Sequence, residues 1–189
     1  MIGRWLPGAV LLGLAAVSTW LLFRLGGLGP GPETAERHDP DLFMEDFVTV
    51  RMGADGKPSR ELRGARMEHY PDTDTHEVWQ PHLLRHAPPG LPTELTSDHA
   101  WLSADGSVLL LNDKVYIWRD RDDGTRALEV ITRDMRVLLD EAYAETDARA
   151  LIRTPSGESR SVGLRADLAR DRLELVADVE STYVPDANP

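Results

Sequence analysis

The chain has 189 residues, no cysteine and a formal net charge of −11, room for one ordinary domain and an appendage. Without cysteine there is no disulfide, no thiolate metal site and no cysteine nucleophile. With 32 acidic against 21 basic residues there is no cationic surplus of the kind nucleic-acid phosphates demand.

The first element is WLPGAVLLGLAAVSTWLLF, Trp5 to Phe23, 19 residues without a charge between Arg4 and Arg24. As a helix rising 1.5 Å per residue it would cover ~29 Å, about the hydrocarbon thickness of a bilayer. Trp5 and Trp20 lie near its ends, where indoles favour the interface. A cleaved signal peptide is the alternative, but its apolar region runs roughly 7–15 residues, and no A-x-A-like site follows Phe23. A single uncleaved transmembrane helix is therefore expected over 5–24, with residues 1–4 as a cytoplasmic tip. Arg4 and the terminal amine favour that orientation, and Arg24 partly offsets them.

Residues 25–42 are rich in glycine and proline, show no periodicity and read as a spacer. From Phe43 the pattern alternates. Turn signals recur at Asp55-Gly56, Tyr70-Pro71-Asp72, Pro88-Pro89-Gly90, Asp105-Gly106, Asp123-Gly124 and Ser156-Gly157. The runs between them have period two and no helical caps, so 43–184 is predicted to be an all-β domain, followed by a tail over 185–189.

A degenerate repeat runs through it. LRGARM at Leu62, LTSDHAWL at Leu95, VITRDMRV at Val130 and LRADL at Leu164 start 33, 35 and 34 residues apart. Each places a small or hydroxyl residue two positions on, at Gly64, Ser97, Thr132 and Ala166. In the first three, a three-residue step then reaches Met67, Ala100 and Met135, which breaks the period of two as a β-bulge does. Stacked two-strand units are expected, each burying its neighbour.

SVLLLNDKVYIW, Ser107 to Trp118, is apolar on both faces, whereas a half-exposed strand reads apolar-in and polar-out. Leu109, Leu111, Val115 and Ile117 share one side. By the repeat, Leu62, Leu95, Val130, Val137, Ile152 and Leu175 belong with them. Two arrangements fit: a sandwich core packed on itself, or an open trough able to hold an acyl chain.

No catalytic constellation is found. The six histidines match no metalloenzyme spacing. DTDTHE, Asp72 to Glu77, lacks the glycine and terminal glutamate of a calcium loop. There is no G-x-S-x-G, Walker or G-x-G-x-x-G sequence, so no catalytic residue, metal or cofactor is expected.

The order of features resembles the LptC family, the bitopic inner-membrane subunit of the lipopolysaccharide transport machine. The resemblance runs from the span through DPDLFMEDFVTVRM, LTSDHAWLSADGSVLLLNDKVYI, ITRDMRVLLDEAYAETDARALI and GLRADLARDRLELVADVESTYV. Its most specific pieces are Gln80-Pro81, the hairpin from Asp105 to Ile117, and YAETD from Tyr143 to Asp147. The resemblance implies an open, twisted antiparallel β-jellyroll in the periplasm behind the inner-membrane helix. It implies a non-enzymatic domain that accepts lipopolysaccharide from the LptB–LptF–LptG transporter and passes it to LptA, with acyl chains in the apolar groove. The N-terminal edge would pair with LptF and the C-terminal edge, at Val179, Thr182 and Val184, with LptA. Ala148-Arg149-Ala150 departs from the Pro-Val the family often shows after ETD. The alternative is an anchored β scaffold that binds only protein partners in the envelope.

Overall fold

The period-two runs become ten strands in the computed structural model of the chain, which describes residues 6–25, 38–86 and 90–183. They are β1 (Leu42–Met52), β2 (Pro58–Tyr70), β3 (Thr75–Trp79), β4 (His82–Arg85), β5 (Thr93–Leu102), β6 (Val108–Asp120), β7 (Arg126–Leu138), β8 (Tyr143–Thr154), β9 (Gly157–Asp167) and β10 (Arg172–Tyr183). Ahead of them one helix, α1, spans Leu6–Leu25. The helix and the sheet belong to separate units, divided after Arg37.

The described side chains of α1 run only from Leu12 to Leu22, with Arg24. Among the described residues no helix is long and apolar enough to cross a membrane. Trp5, the tip over 1–4, most of the expected spacer and the tail over 185–189 lie outside the described residues.

All strands pair antiparallel, in the order β1-β2-β3-β5-β6-β7-β8-β9-β10, and β4 pairs with β2 and β5. β3 and β4 are two halves of one strand path. Arg66 pairs with Trp79 before the break and Arg63 with His82 after it. Pro81 cannot donate to a ladder, and Gln80 turns into the left-handed region at φ 52°.

That break is one point on a crease that crosses the sheet. The register slips between Ser97 and His99, Leu111 and Lys114, Ile131 and Arg136, Thr146 and Arg149, and Ala177 and Glu180. Asp46, Asp113, Asp134 and Asp178 take positive φ along it, a conformation short polar side chains tolerate better than most. The crease folds one sheet into two facing halves, a jellyroll-like arrangement, and both halves turn an apolar face inward. Gly64 on β2 stands opposite Phe47 on β1 and leaves room for its ring. A Cβ there would lie 2.6 Å from the Phe47 ring and 3.0 Å from Val78.

Bulges leave carbonyls without a ladder partner, and buried hydroxyls take them up. Ser97 donates to the His99 carbonyl at 2.9 Å, Thr132 to Arg149 at 3.0 Å, Thr146 to Arg133 at 2.8 Å and Ser161 to Gly163 at 3.0 Å. All four residues are buried, so each bond satisfies a carbonyl that burial would otherwise leave unpaired.

The expected three-residue step is present at Gly64–Met67, Ser97–Ala100 and Thr132–Met135. The fourth unit is shifted. Ser161 and Leu164 carry that step, and Ala166 follows Leu164 by plain alternation, so the unit starts earlier than Leu164. The reason is that LRADL lies wholly beyond the crease, whereas the other three segments straddle it. The strands also form one antiparallel sheet in which the long strands, and β3 with β4 together, cross from one half to the other, not separate stacked pairs.

Candidate lipid groove and sheet edges

Nine of the ten residues predicted to line a groove come together in one buried cluster: Leu62, Leu95, Leu109, Leu111, Val115, Ile117, Val130, Val137 and Ile152. Leu175 is partly buried and packs against it. On β6, Asn112, Asp113 and Lys114 bulge out at the crease and restore the inward phase, so Leu109, Leu111, Val115 and Ile117 all face in. Tyr116 and Trp118 cover the outer face. Their rings lie 5.1 Å apart, Trp118 stacks on His82 at 5.6 Å, and the Arg126 guanidinium sits within 5.8 Å of both. Tyr116 donates to Glu129 at 2.6 Å, which raises the phenol's pKa because ionisation would set two negative charges together.

The inner faces separate at one end. A cavity of about 300 Å³ opens there between the ends of β1, β4 and β7 and the starts of β2 and β5, with Leu83, Leu95, Val137 and Leu139 on its walls. A second cavity of about 210 Å³ shares Leu83 and Leu139 with it and reaches Leu62 and Leu102. Three of the predicted residues, Leu62, Leu95 and Val137, thus face open space.

The rim of the larger cavity is cationic: Arg51, Arg60 and Arg85 line it against one carboxylate, Asp140. Asp140 accepts from Arg51 at 3.0 Å and from Arg60 at 2.8 Å. Arg85 donates to the Leu168 carbonyl at 3.4 Å. Burial, and then the nearby positive charge of Arg119, lower its pKa from the ordinary arginine value. Alternation alone does not single out Arg60, Arg85 and Arg119 as a group. The signal for each singly was there, since each lies two positions along the same face from an inward apolar residue: Arg60 from Leu62, Arg85 from Leu83, Arg119 from Ile117.

Five histidines sit beside carboxylates: His38–Asp72 at 2.8 Å, His69–Asp41 at 2.7 Å, His82–Glu94 at 2.8 Å, His86–Glu61 at 3.6 Å and His99–Glu77 at 2.7 Å. Among the described residues no group of three or more such side chains could hold a metal ion.

Among the described residues both edges of the sheet are open: β1 pairs only with β2 and β10 only with β9. On β1, Phe43, Val48, Val50 and Met52 are exposed, and on β10 so are Val176, Val179 and Tyr183. Of the residues expected at the partner edge, Val179 and Thr182 lie exposed on β10 and Val184 lies outside the described residues.

A family model described as LptC, lipopolysaccharide-assembly, LptC-related, matches residues 8–184. No curated protein matches the chain. Among solved structures, the fold is similar to that of LptH from Pseudomonas aeruginosa, described as the LptA homologous periplasmic component of the conserved lipopolysaccharide transport device. The likeness has a TM-score of 0.50 at 10% identity and covers 80% of this chain and 99% of that one. At that identity it is a likeness of fold.

Proposed function

The chain belongs to the LptC family of lipopolysaccharide assembly, and from that premise we propose that it is a non-enzymatic relay in lipopolysaccharide transport. The β domain accepts lipopolysaccharide from LptB–LptF–LptG and passes it to LptA, the acyl chains riding against the inward apolar residues. The observation that carries this reading is the folded sheet itself. It has two apolar inner faces that part at one end and an unpaired edge on each side, so lipid and neighbouring β domains have separate places to engage. LptF would pair with β1 and LptA with β10, at Val179, Thr182 and the segment that continues to Val184.

The membrane anchor belongs to the same proposal. In α1, Leu12, Leu14, Val17, Trp20 and Leu22 are exposed, an all-round apolar surface that a bilayer would cover. We assign 5–24 to a single span of the inner membrane, 25–42 to a spacer and 43–184 to the periplasm. A photo-crosslinking residue at Leu111 or Ile117 in the full chain, irradiated in membranes, tests the relay. Crosslinks to lipopolysaccharide are expected from these interior positions and not from Arg121 on an outer turn. Crosslinks to protein alone, from every position, would replace the relay with a scaffold that binds only protein.

A further inference from the structure

The open end of the sheet carries a cationic row that apolar packing does not require. Arg60 on β2 stands directly opposite Arg85 on β4, and Arg85 stands opposite Thr93 on β5. Arg119 extends the row by donating from Nε to Thr93 Oγ1 at 2.8 Å. The side chains of Arg60 and Arg119 are only 13% and 15% exposed. Like charges set opposite one another destabilise a sheet, and more so when water is withdrawn.

The carboxylates nearby do not neutralise the row. Asp140 is shared by Arg51 and Arg60, and Asp171 holds Arg119. Among the described residues Arg85 has no carboxylate partner, and its one hydrogen bond goes to a carbonyl. Three arginines against one carboxylate therefore line this cavity, in a chain whose net charge is −11. Hydrocarbon from Leu83, Leu95, Leu139 and Leu168 makes up much of its remaining wall, beside the polar Ser59, His86 and Thr93. Cation at the rim and hydrocarbon inside is the complement of an anionic amphiphile, with the guanidinium fork suited to phosphate oxygens.

We propose that Arg85, flanked by Arg60, binds the phosphate head of a lipid whose acyl chain enters the cavity against Leu83, Leu95 and Leu139. The site deepens the relay reading and rests on it for the physiological lipid, adding a head-group anchor that fixes which end of the lipid lies at this mouth.

The test uses the full chain in nanodiscs of zwitterionic, net-neutral phosphatidylcholine, titrated calorimetrically with dodecyl phosphate against empty discs. Saturable binding is expected. Arg85→Gln should weaken it ~10-fold or more, the scale of one charge-assisted hydrogen bond, and Arg85→Lys should restore most of it. Dodecyl maltoside, uncharged at its head, should bind both forms within about 2-fold of each other, since apolar burial is unchanged. Unaltered dodecyl phosphate binding in Arg85→Gln overturns the site, as does an equal loss for dodecyl maltoside. Inorganic phosphate that displaces dodecyl phosphate at equal concentration would overturn the assignment to a lipid. Should Arg85→Gln lose its β circular-dichroism signal, the unaltered chain decides: salt should weaken dodecyl phosphate and spare dodecyl maltoside, and equal salt responses overturn the site. Failure of the relay shows elsewhere, as absent lipopolysaccharide crosslinks from Leu111 while Arg85-dependent phosphate binding persists.

Discussion

Thr132 lies in the apolar core, 5% exposed, because its hydroxyl stands in for a ladder bond that the crease removes. It donates to the Arg149 carbonyl at 3.0 Å. Thr132→Val keeps the shape and deletes the donor, leaving a buried carbonyl unpaired at a cost of about 1–3 kcal/mol. The urea midpoint should fall with an unchanged slope, since the surface exposed on unfolding is the same; an unmoved midpoint would show the hydroxyl to be idle. At this scale the sequence was partly legible. Ser97 and Thr132 stand out as small polar residues just ahead of a three-residue step, which is what a bulge needs. Thr146 performs the same service without that spacing around it, and Ser161 has the step to Leu164 but lies ahead of the LRADL segment. The inward position of Arg60 and Arg85 was legible from their spacing to Leu62 and Leu83, but the row they form was not, because they become neighbours only once strand register is known.

Among the elements, the entry to β1 is held to the turn after β2 through histidine. His69 Nδ1 lies 2.7 Å from Asp41 and Nε2 lies 3.0 Å from Asp74. The Asp74 bond and then the Asp41 bond raise the His69 pKa, whereas burial and the neighbouring His69 lower that of His76. The signs oppose. The raised His69 stabilises the fold most below the unfolded histidine pKa, and that contribution fades as pH rises through its folded value. The lowered His76 contributes above the unfolded value and loses its contribution as pH falls. Imidazole resonances followed by NMR should titrate on opposite sides of about 6.5, and a common midpoint would mean the clamp is not formed. At the other edge, Thr182 pairs with Glu158 at the end of β10 and is exposed. Proline there removes a backbone donor and disfavours a further ladder. Thr182→Pro should lower LptA copurification about 5-fold or more, the scale of one ladder hydrogen bond, with the circular-dichroism spectrum retained. Undiminished copurification would move the dock off β10. The strands were legible from their alternation and turn dipeptides, but the division into β3 and β4 was not, since Gln80-Pro81 reads equally as an ordinary turn.

At the scale of the whole molecule, the choice between a closed core and a trough was not legible, because both demand the same inward alternation. The folded sheet divides it by position. Leu109, Leu111 and Val115 are fully covered by protein, whereas Leu62, Leu95 and Val137 reach the open cavities. On the relay proposed above, lipid reaching the middle would have to part the two halves. None of this draws on α1. The described core residues, the crease hydroxyls and the cationic row all lie between Phe47 and Leu175, within the unit that begins at His38. A fragment starting at Gly29 should therefore keep a β circular-dichroism spectrum and unfold cooperatively, within about 1 kcal/mol of the same domain in the full chain, since the division removes no core contact. Both edges remain open in that fragment, so it should still capture LptA through β10 while losing its hold on membranes. A disordered spectrum would mean that the helix, or the bilayer around it, is needed to hold the two halves together.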